Sequence, residues 1–400
     1  MNFSERFKTL PSGLRLVGAL FVVVALVGID LGRRDAVPGA ARAIWPGNVK
    51  AGEKNAEKNL NNTRLVVNAF GRLPMPPNTP SAHGSSLLAM PAGHPSVISA
   101  FWFAGQRESA PDVQIAESHF ERATQQWSPA RFVVNRHDVG LKLGYGLRRL
   151  GNPVAWLDAQ GKMHMFVVAT GLGGWAAGRI LHLRQTDDGK DPNQLTFDQP
   201  RVLALSWLWN TSFLVRGSPQ PLADGGMVLP AYFELGIKYP VALRFDAHGN
   251  FKGMTRMSSR KNLLQPTLLA LDESRWLALM RDQSRAARVG AAMTEDGGAT
   301  WRDLQDLSVM NPNSSIAGIA LTPGEFLMAH NSSPNARFVL DLSRSLNGRD
   351  WFLAHTLARG ADPEEYSYPS MAWAGDALWV SHTHHRKSIA WQKLVFEPAP

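Results

Sequence analysis

The stretch "TEDGGATW" (residues 294–301) sets an acidic residue, a glycine pair and a tryptophan at the spacing of a tight hairpin turn. An Asp side chain bonds to backbone groups ahead of it, glycine takes the positive-φ position, and the indole buries against its own sheet. Asp296, Gly298 and Trp301 are therefore read as architecture. The unit is answered by "SLNGRDW" (345–351), where Asn347, Gly348 and Trp351 hold the equivalent places. Degenerate versions are "TDDGKD" (186–191) and "FDAHGNF" (245–251), and "SHFERATQQW" (118–127) keeps mainly the terminal Trp. The intervals lie near the roughly 50 residues of a four-stranded propeller blade.

Composition agrees with many short strands. The 400 residues include 13 Trp, 35 Gly and 26 Pro, with only 19% charged residues, which favours tight turns over long solvated helices. From about residue 81 the chain reads as strand-length apolar runs broken by turns, such as "SVISAFWFAG", "KMHMFVVATG", "MVLPAYFELG" and "DALWVSHTHH". The expectation is an all-β, six-bladed β-propeller over residues 81–400.

The net charge of +9 is spread along the chain, with no nucleic-acid motif among the basic residues. The absence of cysteine excludes disulfides, thiol catalysis and cysteine-ligated metals. Near the N-terminus, Arg6, Lys8 and Arg15 precede the uncharged run "LVGALFVVVALVGI" (16–29). This run is short for a membrane span and suits an export signal, yet no small-residue cleavage site follows. Residues 1–30 are expected to be an uncleaved anchor or atypical signal. Residues 31–80, rich in Gly, Asn, Lys and Pro, are expected to be a linker. The body then lies in the cell envelope facing the periplasm or exterior, or is secreted.

"TEDGGATW" matches the Asp-box of the sialidase (neuraminidase) superfamily, whose members are six-bladed propellers. The stretches "NPNSSIAGIAL", "HNSSPNARFVLDLSRSLNGRDW" and "EEYSYPSMAWAGDALWVSHTHHRKSIAW" resemble the C-terminal half of bacterial sialidase-like proteins with BNR repeats. The resemblance implies three arginines on the substrate carboxylate, an Asp acid/base and a Tyr nucleophile activated by a Glu, the tyrosine exception among retaining glycosidases. Carried onto this chain, it places the second and third arginines at Arg281 and Arg337 and the acid/base at Asp112, with Arg107 and Glu108 on the same rim. The nucleophile falls on Tyr368, with Tyr366 two residues away.

The chain departs from the pattern at two points. His83 of "SAHGSSLLAM" stands where the first arginine belongs, and Gln265 of "NLLQPTLLAL" stands where the activating Glu belongs. Glutamine cannot take a proton, so Glu234, or one of Glu364 and Glu365, would have to serve as base. Trp175 of "GLGGWAAGR" is expected to stack on sugar over the central cleft. "SHTHHR", with His382, His384 and His385, lacks a neighbouring carboxylate, and neither a metal nor a cofactor is expected.

The resemblance therefore implies an exported, exo-acting glycoside hydrolase cleaving sialic acid or a related acidic sugar from a glycan, with the membrane as partner through the N-terminal segment and no nucleic acid. The alternatives are a glycosidase or lyase acting on uronic-acid polysaccharide, and a non-catalytic glycan-binding propeller.

Overall fold

The structure, a computed structural model, describes residues 11–33, 38–44, 63–171 and 173–398. Six antiparallel sheets form a six-bladed β-propeller. Blade 1 runs β2 (Ser81–Ala89), β3 (Ser96–Gly105), β4 (Gln114–Glu121), β5 (Arg131–Val134); blade 2 runs β6 (Arg149–Leu157), β7 (Met163–Thr170), β8 (Arg179–Gln185), β9 (Phe197–Val202). Blade 3 has β10 (Phe213–Val215), β12 (Met227–Leu235), β13 (Ile237–Phe245) and β14 (Phe251–Arg256), with the short β11 (Gln220–Pro221) also on β12. Blade 4 runs β15 (Leu263–Ala270), β16 (Trp276–Asp282), β17 (Val289–Thr294), β18 (Arg302–Asp303); blade 5 runs β19 (Ala317–Thr322), β20 (Glu325–Asn331), β21 (Val339–Ser345), β22 (Phe352–Arg359). Blade 6 is β23 (Tyr366–Ala374), β24 (Ala377–His384) and β25 (Ser388–Pro398), completed by β1 (Thr63–Arg72) as its outer strand.

That last pairing closes the ring, with Thr63 opposite Pro398 and Arg72 opposite Ala390. It moves the start of the propeller into the stretch 31–80 expected to be a linker. In β1 and the residues after it only Leu65, Leu73 and a few neighbours face the core, so the strand shows no apolar alternation in sequence; earlier in the same stretch, Ala41 and Ala43 also pack into the core. Residues 34–37 and 45–62 of that stretch lie outside the described residues.

The turn chemistry is as its residues dictate. Asp296 accepts from the Thr300 N–H at 2.8 Å, and Trp301 donates its indole N–H to the Gly298 carbonyl at 3.2 Å. Asn347 accepts from the Asp350 N–H at 2.8 Å, and Trp351 donates to the Gly348 carbonyl at 3.1 Å. Between blades, large side chains fill the wedges. Trp102, Trp379 and Phe120 pack where blade 6 meets blade 1, and Phe166, Phe245 and Tyr232 pack between blades 2 and 3.

Strand alternation fixes which loops share a face. Each first strand runs away from one face, so the connections between blades and the turns joining second to third strands lie together there. The Asp-box turns lie on the other face. On the first face, the first strands of four blades carry the same bulge. Two residues, Gly84–Ser85, Asn152–Pro153, Gln265–Pro266 and Tyr368–Pro369, oppose one on the neighbouring strand. The leading residue has positive φ each time: 62°, 46°, 51° and 53°. For a non-glycine residue this costs roughly 1–3 kcal/mol, strain that clusters at functional sites.

Outside the propeller, α1 (Ser12–Arg33) contains an apolar stretch, Ser12–Asp30, long enough to cross a membrane by length and composition. It exceeds the run read from sequence because Ser12, Gly13 and Arg15 continue the helix. Arg6 and Lys8 lie outside the described residues. A second helix, α2 (Arg136–Leu143), bridges blades 1 and 2, capped by Asn135 and ended by Gly144 at φ 76°.

Candidate active site

Tyr368 lies at the centre of the bulged face. Its ring meets the His83 imidazole with centroids 4.3 Å apart, and the guanidinium carbons of Arg216 and Arg337 stand 5.5 and 5.9 Å from its ring centre. Both cations are within the range at which a ring's electron-rich face attracts positive charge. Arg216 follows β10 and donates through Nη2 to the carbonyls of Tyr368 at 2.7 Å and Pro369 at 2.9 Å. Those bonds hold the bulge. No described residue hydrogen-bonds the Tyr368 hydroxyl.

Arg281, near the end of β16, donates through Nε to Asn313 Oδ1 at 2.6 Å and through Nη1 to Gln265 Oε1 at 3.1 Å. Arg337, in the β20–β21 turn, donates through Nη2 to the Asn313 carbonyl at 3.0 Å and pairs through Nη1 with Glu365 at 3.1 Å. Asn313 thus bridges the two guanidinium groups. Gln265 passes its amide N–H to the Tyr232 hydroxyl at 3.3 Å. Tyr232 is fully buried, and desolvation followed by the charge of Glu234 raises its pKa. Glu234, at the end of β12, is itself shifted upward by burial, against the pull of Arg281 and Lys238.

His83 lies two residues into β2 and is buried, with neither ring nitrogen hydrogen-bonded. Burial first, then the charges of Arg386, Arg216 and Arg337, depress its pKa well below the ordinary 6.5. The imidazole is neutral at pH 7, so it brings no charge where the resemblance implies an arginine. Positive charge enters from two residues that sequence reasoning missed. Arg216 is completely buried, which pushes its pKa down to about 10. Arg386, at the β24–β25 turn, pairs with Glu108 and donates through Nε to Glu365 at 2.7 Å. A chain Glu108, Arg386, Glu365, Arg337 therefore runs along one side of the site. The sequence signal for Arg216 is a basic residue ending the apolar run "FLV", and for Arg386 it is the strand tip "HHRK".

The other expected residues lie further out. Asp112 is exposed on the β3–β4 loop of the site face, and its Oδ2 accepts from the Gln106 N–H at 2.8 Å. Arg107 is exposed on the same loop. Trp175 is half-buried and pinned: its indole donates to Ser109 Oγ at 3.1 Å, and an added Cβ at Gly151 would lie 2.5 Å from its ring. Tyr366 turns away from the axis. It is buried beside His384 and His385, with ring centroids 5.1 and 5.0 Å away, and donates to Glu364 Oε2 at 3.2 Å. Burial and the Glu364 charge raise its pKa. Among the described residues no group of three or more His, Cys, Asp or Glu is placed to hold a metal. Cavities of about 170 and 60 Å³ lie off the axis, one beside Asp138 and Asp198 and one beside Glu117 and Asp191.

The arrangement gathers guanidinium groups around an aromatic ring, a chemistry suited to an anion. Planar guanidinium groups suit a fixed carboxylate, and a phenol without a hydrogen bond among the described residues stands beside them.

Residues 96–380 match the BNR repeat-like domain family. No curated protein matches the chain in sequence. Among solved structures, a Hadza microbial sialidase is 16% identical with a TM-score of 0.64, covering 79% of this chain and 66% of its own. Trypanosoma rangeli sialidase in complex with sialic acid is 14% identical with a TM-score of 0.62, covering 83% of this chain and 58% of its own. A Dyadobacter fermentans protein of unknown function is 12% identical with a TM-score of 0.63, covering 84% of this chain and 100% of its own. This chain thus spans about two thirds or less of those two sialidases. Identities this low speak for the fold, and the match over most of the chain speaks for the family: the protein belongs to the BNR repeat-like domain family, with the propeller fold of the sialidases.

Proposed function

We propose that the protein is a sialidase-type glycoside hydrolase that removes a terminal, carboxylate-bearing sugar from a glycan. The observation that carries this reading is the position of Tyr368, set on a strained bulge against His83 and between Arg216 and Arg337. In this reading Arg281 and Arg337 hold the sugar carboxylate. Tyr368 attacks the anomeric carbon, its proton passing to a carboxylate, and Asp112 protonates the departing glycosidic oxygen. Water, deprotonated by Asp112, then hydrolyses the tyrosyl–sugar bond and the phenol recovers its proton. Neutral phenol suits an anionic substrate because it is not repelled by the carboxylate.

Glu234 is the carboxylate best suited to receive the phenol proton. Its raised pKa makes it a better base than a solvated glutamate, and it acts on Tyr232, which in turn feels Tyr368. Arg107 and Trp175 fit the rim, where they would meet the aglycone. Tyr366, bonded to Glu364 and turned to the histidines, is assigned no chemical step.

One observation favours a second reading, a glycan-binding propeller without turnover. Gln265, which stands where the resemblance implies the activating Glu, spends its amide on Arg281 and Tyr232. The test is turnover of a fluorogenic sialoside, then of uronic-acid glycans, beside an Asp112→Asn control. Release that falls by roughly 10²–10⁴ in the control supports hydrolysis. Tight binding with the glycan returned intact would replace it with the binding reading. A uronic-acid product, with sialosides untouched, would change the sugar.

A further inference from the structure

We infer that the site-side rim of blades 2 and 3 is a bilayer-docking surface, lying in the lipid interface of the membrane that α1 enters. The inference rests on where α1 meets the propeller and on what surrounds that point. It does not depend on the glycosidase reading.

Residues 12–29 of α1 project from the protein with none of them buried. The end of the stretch is fixed. Asp30 is buried, accepting from Ser206 Oγ at 2.9 Å and from the Leu208 N–H at 2.8 Å. Ser206 and Leu208 belong to the β9–β10 connection, which by strand alternation lies on the same face as the Tyr368 site. A charged side chain buried in this way ties the helix to the propeller, as an anchor retained in the mature protein requires.

The same connection carries exposed Trp207, Leu208 and Trp209, at 54%, 39% and 51% exposure. Leu235 and Ile237, at 42% and 46%, continue the patch. They flank the turn between β12 and β13, which abuts the connection through the Glu234 N–H bond to the Ser212 carbonyl at 2.8 Å. Tyr145 adds a further exposed ring, with Arg179 5.9 Å from its centre. Soluble proteins seldom cluster exposed apolar side chains in this way, and Trp and Tyr beside a membrane helix are the residues that settle at head-group level. Arg179 would face lipid phosphates. Exposed Phe352 and Leu353 lie at the opposite end of blade 5, away from α1. Docked in this way, the propeller presents its central site to the membrane surface, within reach of head-group saccharides.

The chain has no cysteine, so single substitutions can carry spin labels without removing native thiols. Leu208→Cys, Ile237→Cys and Phe352→Cys, all at exposed positions, would be labelled in the full chain. Each would be reconstituted into phosphatidylcholine–phosphatidylglycerol vesicles. Collision with oxygen, which concentrates in lipid, is compared with collision with a water-soluble nickel chelate. The expected result is oxygen-accessible, nickel-shielded labels at 208 and 237 and a nickel-accessible label at 352. Labels at 208 and 237 as open to nickel as that at 352 would overturn the inference. Labels shielded from both reagents would also overturn it, by showing a protein contact in place of lipid.

Discussion

Tyr368 and His83, from the first strands of blades 6 and 1, meet with ring centroids 4.3 Å apart at 61°. The contact joins the first and last blades of the ring at the axis, and it sets a neutral imidazole against the phenol. Arg216, Arg337 and Arg386 surround the pair, and their charges reinforce the burial that keeps His83 unprotonated. Folded His83 therefore holds a proton less well than the unfolded chain. As pH falls below about 6.5 the unfolded state binds more protons and stability drops, by at most about 1.4 kcal/mol per pH unit for one histidine. The melting temperature should fall between pH 7 and pH 5.5, and less steeply in His83→Gln. His182 and His382, also depressed by burial, to about 3 and about 4, keep part of the slope in the variant. Equal slopes would show that His83 does not titrate across this range.

Tyr368→Phe removes the phenol oxygen and leaves the ring and its cation contacts in place. Turnover should fall by at least about 10², while Tyr366→Phe should keep most of its activity. Steady-state rates on one acidic glycoside separate the two. Equal losses would place the chemistry elsewhere on β23.

Gln265→Glu restores a carboxylate at the bulge, where Arg281 at 3.1 Å would pair with it. A carboxylate on a bulge of its own, added to the base that Glu234 provides, should raise the rate of sugar transfer to the enzyme. An increase in kcat of about tenfold corresponds to about 1.4 kcal/mol in the barrier. A decrease would mean that the amide itself is needed, as the binding reading requires.

Asp296→Ala deletes the acceptor for the Thr300 N–H, the Thr300 hydroxyl and the Thr294 hydroxyl. Loss of a charged acceptor serving several donors costs about 1.5–3 kcal/mol. Chemical denaturation should register that loss with KM unchanged, because the turn lies on the face opposite the site. A changed KM would contradict the purely architectural role given to the Asp-box.

The propeller is legible because its turns are local. Asp296 with Trp301 and Asn347 with Trp351 satisfy their own backbones, so a dozen residues suffice to recognise them. β1 is not legible in the same way: its partner β25 lies at the far end of the chain, and a four-stranded blade does not reveal which terminus supplies the outer strand. Proline misdirects similarly. Asn152–Pro153, Gln265–Pro266 and Tyr368–Pro369 look like strand breaks. In fact proline occupies the bulge position, where the neighbouring strand provides a single residue against two. The recurring Xaa-Pro near the start of three of these strands is the available signal for the axis-facing residues. Arg216 and Arg386 were hidden because their significance comes largely from Tyr368 and Glu108, distant in sequence and brought beside them only once the ring closes.

The most direct test of the account is to incubate the full chain with a 2,3-difluorinated sialic acid, which forms a stabilised glycosyl–enzyme bond in enzymes of this mechanism, and to measure intact mass followed by peptide mapping. The account predicts one adduct per chain, carried by Tyr368 and absent from Tyr368→Phe. A chain that turns over sialosides but acquires no adduct, or carries it on another residue, would contradict Tyr368 as the nucleophile.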